Sequence, residues 1–215
     1  GTRETEILKL ESAIGKVDAI VLSGGSAFGL DASSEVQKLL LNENKGYKVG
    51  QNLVPLVSSA VIFDLKPNKS YWKNDVSIWQ ILARKAYKNL SVNFPLGSFG
   101  AGYGATTATL KGGQGSTSSY VLDTKNRKYV VGALVINNAV GNPLLNKGPN
   151  FLSGNLEIHN EFGGVGGSSE IFDGTVRAKR ITSAENCLNT IIGVIATNAP
   201  LDRNQLKRLA IMCQG

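Results

Sequence analysis

The 215-residue chain has one histidine, His159, and two cysteines, Cys187 and Cys213. A lone histidine excludes a multi-histidine metal site and leaves few ways to build a Ser-His-Asp triad. The cysteines form no CxxC pair, which excludes a zinc cluster and a disulfide-rich scaffold. They read as ordinary thiols and favour a reducing, cytoplasmic setting. No apolar run reaches the roughly 18 residues that a membrane-spanning helix needs. Charged residues are scarce at 18% against 42% hydrophobic, so disorder is not the expected state. The length suits a single domain, 1–215, with a substantial core. There is no initiator Met and no signal-peptide pattern, and Gly215 follows directly on an apparent helix, so both ends read as cut.

Acidic residues are the minority, 16 Asp+Glu against 23 Lys+Arg, for a formal net charge of +7. Such a balance invites a nucleic-acid partner. The cations are dispersed, however, and the tightest cluster, Arg177–Arg180, has no aromatic neighbour on which a base could stack. Solvated lysine faces account for the charge, and no nucleic acid is expected as a partner.

Strand patterns alternate with helical ones. Asp18–Ser23 is a β-branched run ending at Gly24-Gly25, and from Gly29 to Asn42 the apolar residues Val36, Leu39 and Leu40 share a helix face. Ser59–Phe63 is a second strand. Asp75 is suited to cap a helix carrying Ile78, Ile81, Leu82 and Ala86. Ser119–Asp123 and Lys128–Asn137 form a hairpin across the polar turn Thr124–Arg127. Ile191–Thr197 reads as a buried strand, and Asp202 caps a last helix with Leu206, Leu209 and Ala210. The pattern predicts a mixed α/β or α+β domain. Pro143–Glu185 has no sustained period and reads as a long mobile arm leading to the Ile191 strand, a place where a chain could be cut without dismantling its core.

Five features carry candidate chemistry, each with a plain structural alternative. Gly24–Gly29 sits between strand and helix, where backbone N–H groups could cradle an anion. No Gly-Lys-Ser/Thr follows, and Phe28 occupies the second glycine position of a GxSxG elbow, so a tight packing turn is the better reading. Gly100–Ala105 matches the loose dinucleotide fingerprint, but the few residues before Lys111-Gly-Gly113 leave no room for its helix. It reads instead as a loop of close backbone approach. Lys111 is flanked by Leu110 and glycine rather than lying on a charged face, with a solvated turn lysine as the alternative. Only one of Asn137 and Asn138 can point inward at a strand end, and an inward amide could donate to an oxyanion. Thr190 is the fifth. A hydroxyl nucleophile without histidine can use its own α-amine as base if it becomes N-terminal. That amine has an ordinary pKa of about 7.7–8.0, and a nearby cation such as Lys111 would enlarge its neutral fraction.

Seven segments in order then support a resemblance: Gly1–Thr5, Ala19–Ala32, Ala60–Asp64, Gly100–Ala105, Lys111–Gly113, Gly132–Val135 and Ile195–Ala199. Together they resemble the L-aminopeptidase/D-esterase family, which includes β-peptidyl aminopeptidases and nylon-oligomer hydrolases. The match spans the chain apart from insertions near Lys66–Ser77 and Pro143–Glu185. The resemblance implies an N-terminal-nucleophile-like hydrolase with a four-layer αββα sandwich, here incomplete at both ends. It also implies cleavage between Asn189 and Thr190 into two subunits, 1–189 and 190–215 of this chain, that stay together. Thr190 would be the nucleophile, Lys111 the lysine beside it, and Asn138 the oxyanion donor. Phe63 and Tyr103 are candidate pocket walls. No metal or organic cofactor is implied. The expected partners are small peptide, amide or ester substrates and further copies of the cleaved heterodimer, with no membrane. Ile191 stands where the nylon-oligomer branch often has a second threonine, and the family's later pair of polar or acidic residues belongs to a motif beyond Gly215. Alternatives are an acyltransferase on the same scaffold, an inactive truncated relative, or a basic binding protein.

Overall fold

A computed structural model describes residues 1–66, 69–73, 75–108, 110–146, 148–175 and 189–214. The Arg177–Arg180 cluster and Cys187 lie outside them. Strand β1 (Thr2–Arg3) is followed by β2 (Ala19–Ser23), helix α1 (Asp31–Asn42), the hairpin β3 (Tyr47–Val49) and β4 (Asn52–Val54), then β5 (Val57–Val61). The short pair β6 (Trp72–Lys73) and β7 (Val76–Ser77) leads into α2 (Ile78–Lys88). After a glycine-rich stretch come β8 (Gly113–Leu122), β9 (Lys128–Asn138), β10 (Thr190–Thr197) and α3 (Arg203–Met212). The result is a mixed α/β chain built on two three-stranded sheets, ordered β1-β5-β2 and β10-β9-β8. Among the described residues no helix is long and apolar enough to cross a membrane.

In the first sheet, β2 runs parallel and β1 antiparallel to β5. Side chains alternate across a strand, so Val57 and Ser59 face α1 and α2, while Ile62, just past the strand, faces the second sheet. The helix side holds Ala32, Val36, Leu40, Val57, Trp79 and Ala83. Helices α1 and α2 are further joined by Arg84, which grips the buried Glu35 carboxylate through Nε at 2.6 Å and Nη2 at 3.3 Å. This fork-to-carboxylate geometry is the strong form of such a pair.

Several expectations shift. Strand β5 starts and ends two residues earlier than expected, leaving Phe63 beyond it. Helix α2 is capped by Ser77, whose hydroxyl accepts from the Gln80 N–H, while Asp75 adopts a left-handed backbone. The buried face of α2 is Trp79 and Ala83, whereas Ile78 and Leu82 are exposed. The indole decides the orientation, since it stacks with Phe28, meets the Tyr71 ring at a tilt and lies over Gly25, where a Cβ would collide with it. Asp202 caps α3 as expected, in a full capping box with Gln205, but α3 buries none of its residues. β10 is an edge strand with one open face, Ile191 being 61% exposed, rather than a buried strand. The Pro143 segment is tied to itself as far as Thr175 rather than trailing as an arm. Glu157 accepts from the N–H groups of Phe162 (2.7 Å), Gly164 (2.8 Å) and Gly166 (3.3 Å).

Candidate active site

The second sheet sets the register of the site. β9 pairs antiparallel with both neighbours, so Thr190 lies directly opposite Asn138, and Gly113 opposite Asn137. Opposed residues share a face with their Cβ atoms about 5 Å apart. Asn138 is therefore the inward member of the Asn137-Asn138 pair, 1% exposed beside the equally buried Ile136. Two rungs further, on the same face, Ile136 opposes Ile192, and both join the small core formed with Ile62, Ala105, Leu22 and Ala101. Thr190 thus enters the edge of this core half-buried, while Asn189 before it is exposed.

Asn138 is held at both ends of its amide. Nδ2 donates to the Phe63 carbonyl at 2.9 Å, and Oδ1 accepts from the Thr106 N–H at 3.1 Å. A donor on one side and an acceptor on the other give the amide a single sensible orientation. Thr106 in turn bridges antiparallel to Lys111, and the Gly112 N–H donates to the Ala105 carbonyl at 2.8 Å. Gly112 must be glycine here because a Cβ would overlap the Asn137 carbonyl and Ala105. The Lys-Gly-Gly segment therefore lies flat against the end of β9, which brings Lys111 to the same end of the sheet as Asn138 and Thr190.

Lys111 is exposed, and among the described residues its Nζ donates to the Tyr103 carbonyl at 2.7 Å rather than to Thr190. The same ammonium sits 5.8 Å from the Tyr103 ring centroid, within cation–π range. The Tyr103 ring is 73% exposed and that of Phe63 39%, so both border open space rather than filling the core. Thr190, Asn138, Lys111, Phe63 and Tyr103 thus gather at one sheet end, linked by a short series of backbone and side-chain bonds. Among the described residues no group of three or more His, Cys, Asp or Glu side chains is placed to hold a metal ion.

Asp64 also belongs to this neighbourhood, though as sequence it is only the last residue of the Ala60–Asp64 segment. Its Oδ1 accepts from the Gly25 N–H at 2.6 Å. The signal that could have found it is indirect: two separate glycine clusters, Gly24-Gly25 and Gly100–Gly104, each leave room for a partner close to the backbone.

Comparisons with known proteins give the chain a family. The pattern of peptidase family S58 matches residues 1–215. An uncharacterised aminopeptidase of Mycobacterium leprae is 34% identical over 100% of this chain and 58% of its own length. A 6-aminohexanoate-oligomer endohydrolase of Kocuria sp. is 28% identical over 88% of this chain and 52% of its own. The crystal structure of the PH0078 protein from Pyrococcus horikoshii superimposes with a TM-score of 0.53 at 28% identity, covering 89% of this chain and 45% of that one. The chain thus spans little more than half the length of these curated relatives. A family pattern matched from end to end, with the fold likeness beside it, settles the assignment: the chain belongs to peptidase family S58.

Proposed function

We propose that the complete protein is a self-processing hydrolase of peptide or amide bonds with Thr190 as its nucleophile. The observation that carries this reading is the β9–β10 register, with Thr190 opposite the buried, oriented Asn138 at the sheet end that Lys111 also reaches. The names of the relatives, an aminopeptidase and an oligomer endohydrolase, support peptides or amide oligomers as the substrate class.

Two stages follow chemically. In the first, the Thr190 hydroxyl attacks the Asn189 carbonyl carbon. An Oγ–C ester forms, the C–N bond breaks, and the proton moves to the new amine. Water then hydrolyses the ester, releasing the Asn189 carboxylate. In the second, the Thr190 amine takes the proton from its own Oγ as that oxygen attacks a substrate amide. The substrate C–N bond breaks as the Thr190 ammonium gives that proton to the departing amine, and water then hydrolyses the acyl-enzyme to a carboxylate and free Thr190 Oγ. Asn138 serves the oxyanion and Lys111 supplies positive charge nearby, with Phe63 and Tyr103 bordering the substrate. In the complete protein the two sheets would be the inner layers of an αββα sandwich, α1 and α2 forming one outer layer.

Intact mass spectrometry of the protein expressed from its full reading frame tests the first stage. Two fragments split between 189 and 190 are expected, and Thr190→Ala should abolish the split while Thr190→Ser retains it. An uncut wild-type chain overturns the reading. The second stage requires that the cut protein release amine from peptide or 6-aminohexanoate-oligomer substrates and that the Thr190→Ala chain release none.

A further inference from the structure

The two glycine-rich motifs serve neither a phosphate nor a dinucleotide in the account above, and one carboxylate explains why both are there. Asp64 lies between them. On one side it accepts from the Gly25 N–H at 2.6 Å, and a Cβ on Gly24 would come within 2.5 Å of its Oδ2. On the other side, a Cβ on Gly104 would overlap that same oxygen. Neither Gly24 nor Gly104 has a left-handed backbone, so glycine is required at these two positions for space rather than for conformation. Each motif therefore contributes one wall of a seat for the Asp64 side chain.

The three residues ending at Asp64 tie three parts of the protein together. The Ile62 N–H donates to the Ser23 carbonyl at 2.9 Å, and the Ile62 carbonyl accepts from Ser26 at 2.8 Å. The Phe63 carbonyl accepts from Asn138 Nδ2, and the Asp64 carboxylate accepts from Gly25. The residue that orients Asn138 is thus clamped between a backbone anchor before it and a carboxylate anchor after it. The Gly104 wall lies two residues from Thr106, which holds the other end of the same amide.

We propose that Asp64 is a positioning residue. By locking the Gly24-Gly25 turn and the Gly100–Gly104 loop onto one carboxylate, it fixes the Phe63 carbonyl and the Thr106 N–H that together aim Asn138. This rests on the role given to Asn138 above, but its structural half can be tested separately. Loss of the anchor lets the amide turn, and misplacement of a reacting group by about 1 Å can cost on the order of a hundredfold in rate.

The test compares wild type, Asp64→Asn and Asp64→Ala in the full-length protein. The first readout is the side-chain amide signal of Asn138 in ¹⁵N NMR, assigned with Asn138→Asp. Asp64→Ala is expected to shift or broaden that pair while the other amides of β9 stay in place, and Asp64→Asn, which can still accept from Gly25, should largely restore it. The second readout is the rate of cleavage at 189/190 and the kcat and KM of the mature enzyme. Asp64→Ala should slow cleavage and lower kcat on the order of a hundredfold with KM little changed, and Asp64→Asn should recover most of both. An unchanged Asn138 signal in folded Asp64→Ala overturns the proposal. So does an altered signal with unaltered rates, or a rise in KM alone, which would make Asp64 a substrate contact. If Asp64→Ala does not fold, Gly104→Ala, which presses a methyl onto the carboxylate, takes its place with the same expected outcomes. A wild-type chain that never cuts itself defeats the assignment of Thr190, and the NMR comparison still decides whether Asp64 holds Asn138.

Discussion

The two sheets of this protein are buried in different ways. The β1-β5-β2 sheet has a helix pair across one face, and its central strand β5 is covered almost throughout. The β10-β9-β8 sheet is longer, yet most of it is open. Tyr120, Val121 and Leu122 in β8 are all more than half exposed, and in β9 full burial is confined to Ile136 and Asn138. The first sheet supplies stability along its whole length. The second is packed tightly only at the end where Ile136 and Asn138 lie opposite Ile192 and Thr190. Burial therefore follows the helices in one sheet and the candidate site in the other.

The largest effect should come from the helix-covered side. Trp79→Ala removes the ring that Phe28, Tyr71 and Gly25 pack around, and should cost about 3–5 kcal/mol by urea unfolding. Ile62→Ala cuts the apolar link between the sheets, where Ile62 is 0% exposed, and should cost about 2–5 kcal/mol. Because Ile62 adjoins the residue that holds Asn138, amide exchange at the end of β9 should rise in this variant and not in Trp79→Ala. Val121→Thr on the open face of β8, at 65% exposure, should change stability by no more than about 0.5 kcal/mol. A larger loss would mean that this face is covered in the complete protein.

The smallest effect is confined to one loop. Backbone N–H groups, that of Gly164 first, hold the Glu157 carboxyl below its ordinary value. A group with a depressed folded pKa stabilises the fold above its unfolded pKa and loses that contribution as pH falls through the folded one. The 157–166 loop should therefore be closed at neutral pH and open in acid below the ordinary glutamate range, without a change in the global unfolding midpoint at neutral pH. Limited proteolysis across Gly163–Gly167 as a function of pH would show it. Glu157→Gln, which has no titrating group but can still accept from Phe162 and Gly164, should make cleavage of the loop independent of pH.

Much of this contrast was legible from residue patterns, and the misses have physical causes. The Thr124–Arg127 turn and the apolar residues of β9 were plain, but β8 begins at Gly113, six residues before the expected start. Gly113–Ser118 has no hydrophobic alternation, and it is a strand because β9 offers it a ladder. Tertiary pairing overrides weak local preference there. Helix α2 was recognised but turned to the wrong face, because spacing alone does not show that one indole outweighs four smaller apolar side chains. At the site, strand alternation says only that one of Asn137 and Asn138 faces the interior; the resemblance names Asn138, and its burial in the fold makes it the inward one. Thr190 and Lys111 stood out through family resemblance more than through pattern. Asp64 was passed over because a single carboxylate after a strand has no period. What marks it is the absence of side chains at two distant glycines, and only the fold brings those together.

The eight-rung ladder between β10 and β9 has a consequence for how the protein would melt. A backbone break at Asn189–Thr190, whether made by the chain itself or by a protease, falls just outside the first rung and removes none of them. What changes is molecularity. Before the break β10 meets β9 as part of one chain, and afterwards as a separate polypeptide. The unfolding midpoint of the nicked protein should then rise with protein concentration, whereas that of the intact chain should not.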